Sequence, residues 1–553
     1  MNGKNGAISA ERKYKTSVEE AYEYIENFDI LETINNVGND EIFTPVKLCN
    51  EILDVLPTEV WSNPNYKWLN PCDKNGVFLR EIAIRLDEGL KNIIENQENR
   101  RKHILKNMLF SIGLTKFTSL VSRRTLYYCS QANRKFSINE EGFAIGNGTW
   151  FDDEEGNIKT PITKHSFDKK GKCIYCSTSS KGKYSNPNQI EHYAYEFIHL
   201  NNIEKTLFKR FNLGEDMKFD IIIGNPPYQL STSGGQAQAK AIYYKFVEQA
   251  KRLNPKYLSM IIPSRWMSSG FGVEDFRKNM LDDKHITKLH HYENAGHCFP
   301  NNVEIKGGVC YFLRERDVSS KCEITIHFSD KQIQKSHRYL KEDDLDSDIF
   351  IRDERQIEIL KKVSSKNESS ISNICYSLWF YDLASDFFKN PSKFDLPPLS
   401  ETPIDNGFTI YGALNGKRAI RYCASDYPFK KRLEEIKKWK VFIPSVYGSG
   451  KRNDIPSYIQ IGEPNSLCTH SVMQIGNFDT RAEAENLVSY YKTKFFRFML
   501  SVKRISINIS GSILKFVPMQ DFSRKWTDIE LYERYELSDQ EIEYIESHII
   551  EMD

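Results

Sequence analysis

What the chain lacks narrows its class first. It contains no run of about 18 apolar residues, no apolar segment behind the first methionine and no long low-complexity tract. Neither membrane insertion nor export is expected, and a cytoplasmic location is the reading. Charge of one sign is also missing: 76 Lys and Arg against 75 Asp and Glu give a formal net charge of +1. That balance leaves nucleic acid open as a partner, because a local basic cleft disappears in the sum. The 11 cysteines are an odd number in a large chain without an export signal, which argues against a disulfide framework and leaves metal binding or plain burial. What is abundant is core material. With 553 residues, 40% hydrophobic and 12% aromatic, the chain can fill two or three sizeable domains.

The most informative stretch is residues 219–229, FDIIIGNPPYQ. A β-branched apolar run bounded by Gly, Asn and two prolines reads as a buried strand that delivers a stiff polar loop. Pro226 and Pro227 fix φ and remove two backbone donors, so the carbonyls of Asn225 and Pro226 are left to accept from outside the chain. Asn225 adds a side-chain acceptor and Tyr228 a flat aromatic face. The set suits a planar ring carrying an amino group, and an exposed nucleobase fits that description.

In chain order, residues 1–40 form a polar arm with a helical segment near 17–27. Phe43-Thr44-Pro45 then precedes apolar positions at helical spacing over 46–56, so Thr44 is expected to cap a helix with Pro45 in its first turn. A good helix start is the plainer reading of the same residues. Residues 68–79, WLNPCDKNGVFL, run from a short strand through a turn into a helix, the first unit of a doubly wound sheet in which a cofactor lies against the loop and helix N-terminus. A tight turn without cofactor would carry Asn-Pro and Gly equally well. The next strand, 108–114, ends without the acidic residue that holds ribose hydroxyls in nucleotide sites.

Residues 127–200 are a polar insertion. Within it Cys173 and Cys176 have the spacing to share a zinc ion, with Cys129 and His165 as the nearest partners and His192 and His199 as substitutes. Two unligated cysteines in a turn are the alternative. Beyond the central loop, 231–240 is rich in Gly, Ser and Gln and reads as a loop beside the site. Helices at 242–253 and 271–281 then alternate with strands at 257–263, 286–292 and 307–313, the pattern of a mostly parallel sheet covered on both faces.

Taken in order, Phe43-Thr44-Pro45, Asn70-Pro71 through Phe78-Leu79, Asn225-Pro226-Pro227-Tyr228, Ile262-Pro263-Ser264 and residues 307–313 resemble the N6-adenine DNA methyltransferases of bacterial restriction-modification systems. The branch resembled has the cofactor motif first, the catalytic motif second and the target-recognition domain last. The resemblance implies a doubly wound, Rossmann-like α/β methyltransferase domain over 41–330, an α+β target-recognition domain over 331–525 and a closing helix within 526–553. It implies methyl transfer from S-adenosylmethionine to the amine of an adenine flipped out of double-stranded DNA. Thr44, Pro45, Asn70, Pro71, Asp73, Gly76 and Phe78 would line the cofactor. Asn225 and Pro226 would accept the amine's hydrogens, Pro227 would stiffen the loop and Tyr228 would stack on the base. Two positions depart from the family pattern: Asn70 stands at the usual acidic position of the cofactor loop, and Lys74 at its first glycine.

The later part is aromatic and basic, with cations at Lys417-Arg418, Lys430-Lys431-Arg432, Lys437-Lys438-Trp439-Lys440 and Lys451-Arg452. Such interleaving suits phosphate contact and base readout, and a solvated helix face is the alternative. A helix is expected over 482–500, and Ser538 with Glu541 forms the capping box of a last helix running through 550. No carboxylate cluster of nuclease type stands out, so modification without cleavage is expected, with any restriction endonuclease encoded separately. Two other functions remain open: a DNA-binding specificity or defence subunit that has lost catalysis, and a methyltransferase acting on the planar amide of a protein glutamine.

Overall fold

The computed structural model describes residues 42–553 apart from 135–136, 139–149, 177–179, 181–192, 215–216, 230–240, 269–271, 300–304, 306, 329–331, 346, 377, 430–431, 448–457, 504–508, 551 and 553. The expected arm at 1–40, the loop at 231–240, His192 and the cations Lys430, Lys431, Lys451 and Arg452 lie outside the described residues. The chain divides into two compact units. The first runs to Ser264 and includes Lys284–Arg338, and the second comprises Arg265–Asp283 and Tyr339–Asp553.

The first unit is built on a nine-stranded sheet. Its strands are β1 (Trp68–Asp73), β2 (Leu109–Gly113), β3 (Ile158–Lys159), β4 (Ile221–Gly224), β5 (Tyr257–Pro263), β6 (Ile286–Tyr292), β7 (Val309–Glu315), β8 (Cys322–His327) and β9 (Ile333–Arg338). They lie in the order β3-β2-β1-β4-β5-β7-β6-β8-β9. β1 to β5 pair in parallel, while β7 runs antiparallel between β5 and β6. Every residue of β1, β4 and β5 is buried. That explains why β4 is a continuous apolar run and β5 nearly one, rather than alternating. The strand order reverses between β1 and β4, and in such sheets the crevice outside the carboxyl ends at the reversal is where ligands sit.

The helices α1 (Val46–Asp54), α2 (Val77–Gly89), α3 (Lys116–Tyr127) and α4 (Tyr243–Arg252) belong to this unit. α1 and α2 are amphipathic, turning Leu48, Cys49, Ile52 and Leu53, and Val77, Phe78, Leu79, Ile82 and Leu86, inward. β1 is irregular between Asn70 and Asp73. Pro71 lies inside that interval and has no amide to give the ladder.

The second unit carries α5 (Glu274–Leu281), α6 (Glu354–Ser365) and two three-stranded sheets. One sheet joins β10 (Phe408–Leu414), β11 (Lys417–Cys423) and β14 (Ser466–Cys468), and the other β12 (Trp439–Pro444), β13 (Gln460–Gly462) and β15 (Val472–Phe478). The helix expected over 482–500 is two helices, α7 (Arg481–Lys492) and α8 (Lys494–Lys503). Thr493 between them is extended, and the Asp528 carboxylate accepts from the amides of Lys494 and Phe495 at 3.0 and 2.8 Å, starting a new helix there. α9 (Asp528–Arg534) and α10 (Asp539–His548) follow. Leu531, Tyr544 and Ile545 share a core with Ile357, Leu360 and Phe498, so these last helices pack back into the second unit. The boundary expected at 330 falls later, because β9 continues the large sheet to Arg338.

Candidate active site

Two loops leave the sheet at its reversal point, one from β1 and one from β4. Their closeness depends on Gly224: a Cβ there would stand 2.7 Å from Asn70 Oδ1 and 3.2 Å from Cys72 Sγ, so only glycine lets β4 run this near β1. Asn225, Pro226, Pro227 and Tyr228 follow directly and are buried.

Asn225 is held by its amide nitrogen. Nδ2 donates to the Ile42 carbonyl at 3.2 Å and to Thr44 Oγ1 at 3.1 Å. A carbonyl oxygen can only accept, so the group facing Ile42 must be the NH2 and the amide orientation is fixed. Asn225 Oδ1 is thereby turned away, buried and without a hydrogen-bond partner among the described residues. Leaving a buried acceptor unmet costs about 1–3 kcal/mol, which a native fold tolerates where an incoming group supplies the donor. Thr44 is committed to this contact. The expected helix cap is not made: Pro45, extended at φ −62° and ψ 151°, precedes α1 and no side chain caps it.

Tyr228 keeps 5% of its surface open, and its hydroxyl has no partner among the described residues. Burial pushes that phenol well above its ordinary pKa, so it stays neutral. Its carbonyl accepts from the Ile242 amide at 3.2 Å, closing the base of the loop that separates it from α4.

The β1 loop is organised from within. Asp73 is buried, and its Oδ1 accepts from Asn70 Nδ2 at 3.1 Å and from the amides of Lys74 and Gly76 at 3.0 and 3.3 Å. Its Oδ2 accepts from Ser122 and Ser111 on the neighbouring elements. Burial raises the Asp73 pKa, and Ser122 with the loop amides opposes the rise. This carboxylate shapes the loop. Gly76 has φ +79°, and a Cβ there would meet Ser122 at 3.0–3.1 Å, so the last turn before α2 requires glycine. Phe78 lies buried in the first turn of α2 and Pro71 in β1. Asn75, also buried, leaves its Nδ2 donor unmet among the described residues, beside the helix N-terminus. At the end of β2 stand Gly113, Leu114 and Thr115 with no acidic residue, and Thr115 forms a capping box for α3 instead.

Lys74 and Ile42 are the parts the sequence did not disclose. Lys74 Nζ donates to the Ile42 carbonyl at 2.9 Å, the same oxygen that holds Asn225. Lys74 is not among the residues of positive φ, so this turn position does not demand glycine and a long cation can be used there. The departure from the family pattern at 74 was the signal.

The insertion brings His165, Cys173, Cys176 and His199 together, with ligand atoms all within 4.8 Å of one another. Cys129 is not in the group, and His199 takes the fourth place. Cys129 follows α3 and its left-handed end at Tyr128, whereas His199 ends a one-turn helix, Glu196–His199, that faces the cysteine turn.

Among the cations of the second unit, several are engaged by their own chain. Lys437 pairs with Glu434 at 2.9 Å, Lys438 pairs with Asp479, and Lys440 is buried with its amine donating to three carbonyls, those of Glu435, Ile436 and Ser466. Of the three only Lys440 is buried, and it serves structure. Lys417 and Arg418 remain exposed on the β10–β11 hairpin, Arg418 lying 3.8 Å over the Tyr458 ring.

Residues 107–299 match the family of Eco57I restriction-modification methylases. A relative from Mycoplasma pneumoniae (strain ATCC 29342 / M129 / Subtype 1), described as an uncharacterized adenine-specific methylase, is 47% identical over 375 residues, 65% of this chain and 88% of the relative. The chain belongs to the adenine-specific methylases. The matched family segment contains the Asn225–Tyr228 loop and the insertion of this methylase, while the β1 loop lies before it. The type II restriction enzyme and methyltransferase RM.Eco57I of Escherichia coli is 22% identical over 310 residues, 52% of this chain and 28% of that enzyme. A solved nuclease-deletion mutant of the type ISP restriction-modification enzyme LlaGI, in complex with a DNA substrate mimic, is 12% identical with a TM-score of 0.47, covering 84% of this chain and 45% of that one. The methylase thus spans about a quarter of RM.Eco57I and about half of the LlaGI chain.

Proposed function

We propose that this methylase transfers a methyl group from S-adenosylmethionine to the N6 amine of an adenine flipped out of double-stranded DNA, as the modifying activity of restriction-modification. The observation that carries the reading is the unmet, buried Oδ1 of Asn225, locked in place by Ile42 and Thr44. An exocyclic amine conjugated with its ring is a poor nucleophile. Accepting its hydrogens at Asn225 Oδ1 and at the Pro226 carbonyl draws the nitrogen toward tetrahedral geometry and frees its lone pair. Tyr228 supplies the ring on which the base stacks, and the two prolines hold the acceptors still.

The β1 loop fits the cofactor in one specific respect. The orphaned Asn75 donor beside the N-terminus of α2 suits a carboxylate, and Asn70, Gly76 and Phe78 frame the same turn. Bound there, S-adenosylmethionine supplies an electrophilic methyl group. DNA recognition is assigned to residues 331–525, with Lys417 and Arg418 as phosphate contacts, and cleavage to a separately encoded endonuclease. No helix among the described residues is long and apolar enough to cross a membrane, and the cytoplasm is the proposed location.

Transfer of tritium from labelled cofactor to adenine in DNA tests the reading. Wild type should label DNA, and Asn225→Ala and Tyr228→Ala should each abolish labelling while keeping the wild-type circular dichroism. Calorimetry showing no cofactor binding, with or without DNA, would overturn it in favour of a specificity subunit. Label in protein rather than DNA would move the acceptor to a glutamine amide.

A further inference from the structure

We propose that His165, Cys173, Cys176 and His199 bind one zinc ion, which staples the polar insertion to the methylase sheet. For Zn–S of about 2.3 Å and Zn–N of about 2.0–2.1 Å, a tetrahedron has an S···N edge of about 3.6 Å. Cys176 Sγ lies 3.4 Å from His165 Nδ1, and Cys173 Sγ lies 3.9 Å from His199 Nε2. Both separations sit within a few tenths of an ångström of that edge. The His199 ring is oriented from behind, because its Nδ1 meets the Lys164 carbonyl at 3.0 Å. That contact places the proton on Nδ1 and leaves the Nε2 lone pair toward Cys173, the usual arrangement behind a metal-bound imidazole. Cys173, Cys176 and His199 are buried.

The peptide around the cysteines is a tight knuckle. Ile174 N donates to the Ser166 carbonyl at 2.9 Å, and Asp168 N to that of Lys172 at 2.8 Å. The region is rich in Lys and Ser and short of apolar residues, so its own core cannot fix it. A metal can, since binding energy at a structural zinc site is folding energy. From the four ligands the chain reaches the sheet in two places. Tyr193 N donates to the carbonyl of Leu114, just after β2, at 2.8 Å. On the other side the Lys245 amine donates to the Tyr175 carbonyl, and Gln249 Nε2 to that of Leu200 at 2.7 Å, both from α4. The ion therefore joins the turn carrying His165, Cys173 and Cys176 to the segment ending at His199, which itself rests on the end of β2 and on α4. With four protein ligands no coordination position is left open, so the role is structural.

The full chain, purified and passed over chelating resin, should retain about one zinc per molecule by plasma mass spectrometry. Cobalt exchanged into the same protein should give the intense visible bands of a tetrahedral S2N2 site, a readout that needs no variant and no activity. Cys176→Ser and His199→Ala should lose the metal. Cys129→Ser should keep it, and His199→Cys should restore a four-ligand site. Less than about half an equivalent in wild type, an octahedral cobalt spectrum, or loss of metal in Cys129→Ser would overturn the assignment.

Discussion

Replacing Thr44 with valine separates two roles that sequence motifs run together. Thr44 is buried, and valine has nearly its shape, so the change removes one hydroxyl with little disturbance. The lost contact is the 3.1 Å hydrogen bond from Asn225 Nδ2, while the 3.2 Å bond to the Ile42 carbonyl remains. A net hydrogen bond is worth about 1 kcal/mol, which converts to a roughly fivefold change in rate. In the proposed mechanism the Asn225 oxygen must be correctly aimed when the amine pyramidalises, so the loss should fall on kcat. Steady-state tritium transfer with cofactor and DNA varied independently should show kcat reduced about fivefold and KM for S-adenosylmethionine unchanged. Thr44→Ser, which restores the hydroxyl, should return kcat to near wild type. If instead KM for the cofactor rises at constant kcat, Thr44 contacts the cofactor and the positioning argument fails. It fails equally if serine is as slow as valine.

Gly76→Ala forces a Cβ to 3.0–3.1 Å from Ser122 at φ +79°, and should cost about 1–2 kcal/mol in urea denaturation together with weaker cofactor binding by calorimetry. His290 is half-buried against Tyr311 and His327, and the loss of solvent pulls its pKa from 6.5 to about 4, with His327 adding to the fall. The folded state thus keeps it neutral while the unfolded chain takes up a proton below 6.5. Its contribution is full above that value and lost as pH falls toward 4, amounting to roughly 2 kcal/mol by pH 5. In His290→Phe, denaturation midpoints at pH 7.5 and 5 should differ less than in wild type, and an equal difference refutes the assignment. Stripping zinc with a strong chelator should open the turn around Cys173 and Cys176 to limited proteolysis and leave the second unit intact, whereas an unchanged cleavage map would argue against the staple.

Where one physical signal dominates, the sequence was readable to the residue. β5 and β6 fall on the expected bounds, 257–263 and 286–292; β5 is a nearly continuous apolar run, and β6 is rich in β-branched and aromatic residues. β4 and the loop after it were legible for the same reason, and Pro226-Pro227 leaves the backbone few choices. β9 was missed: its exposed and half-buried residues alternate, and Gln334, Lys335 and His337 look like linker until a neighbouring strand pairs with them. The fourth member of the Cys/His cluster was assigned to Cys129, with His199 only a substitute, because nothing near Cys173 in sequence says that a helix 26 positions later will face it. Lys440 read as a surface cation, since the carbonyls that surround it come partly from Ser466, on another strand. Local chemistry was visible, and contacts set by topology were not.

The Ile42 carbonyl has two lone pairs, and Lys74 and Asn225 each donate to it. One atom thus belongs at once to the turn proposed to hold the methyl donor and to the amide proposed to grip the acceptor. Were Lys74 displaced on cofactor binding, the oxygen would be freer to accept from Asn225, and the reverse would hold equally. Thermodynamic reciprocity then demands that any factor by which the cofactor tightens DNA binding through this oxygen is the factor by which DNA tightens cofactor binding. The two half-sites would then be read as one.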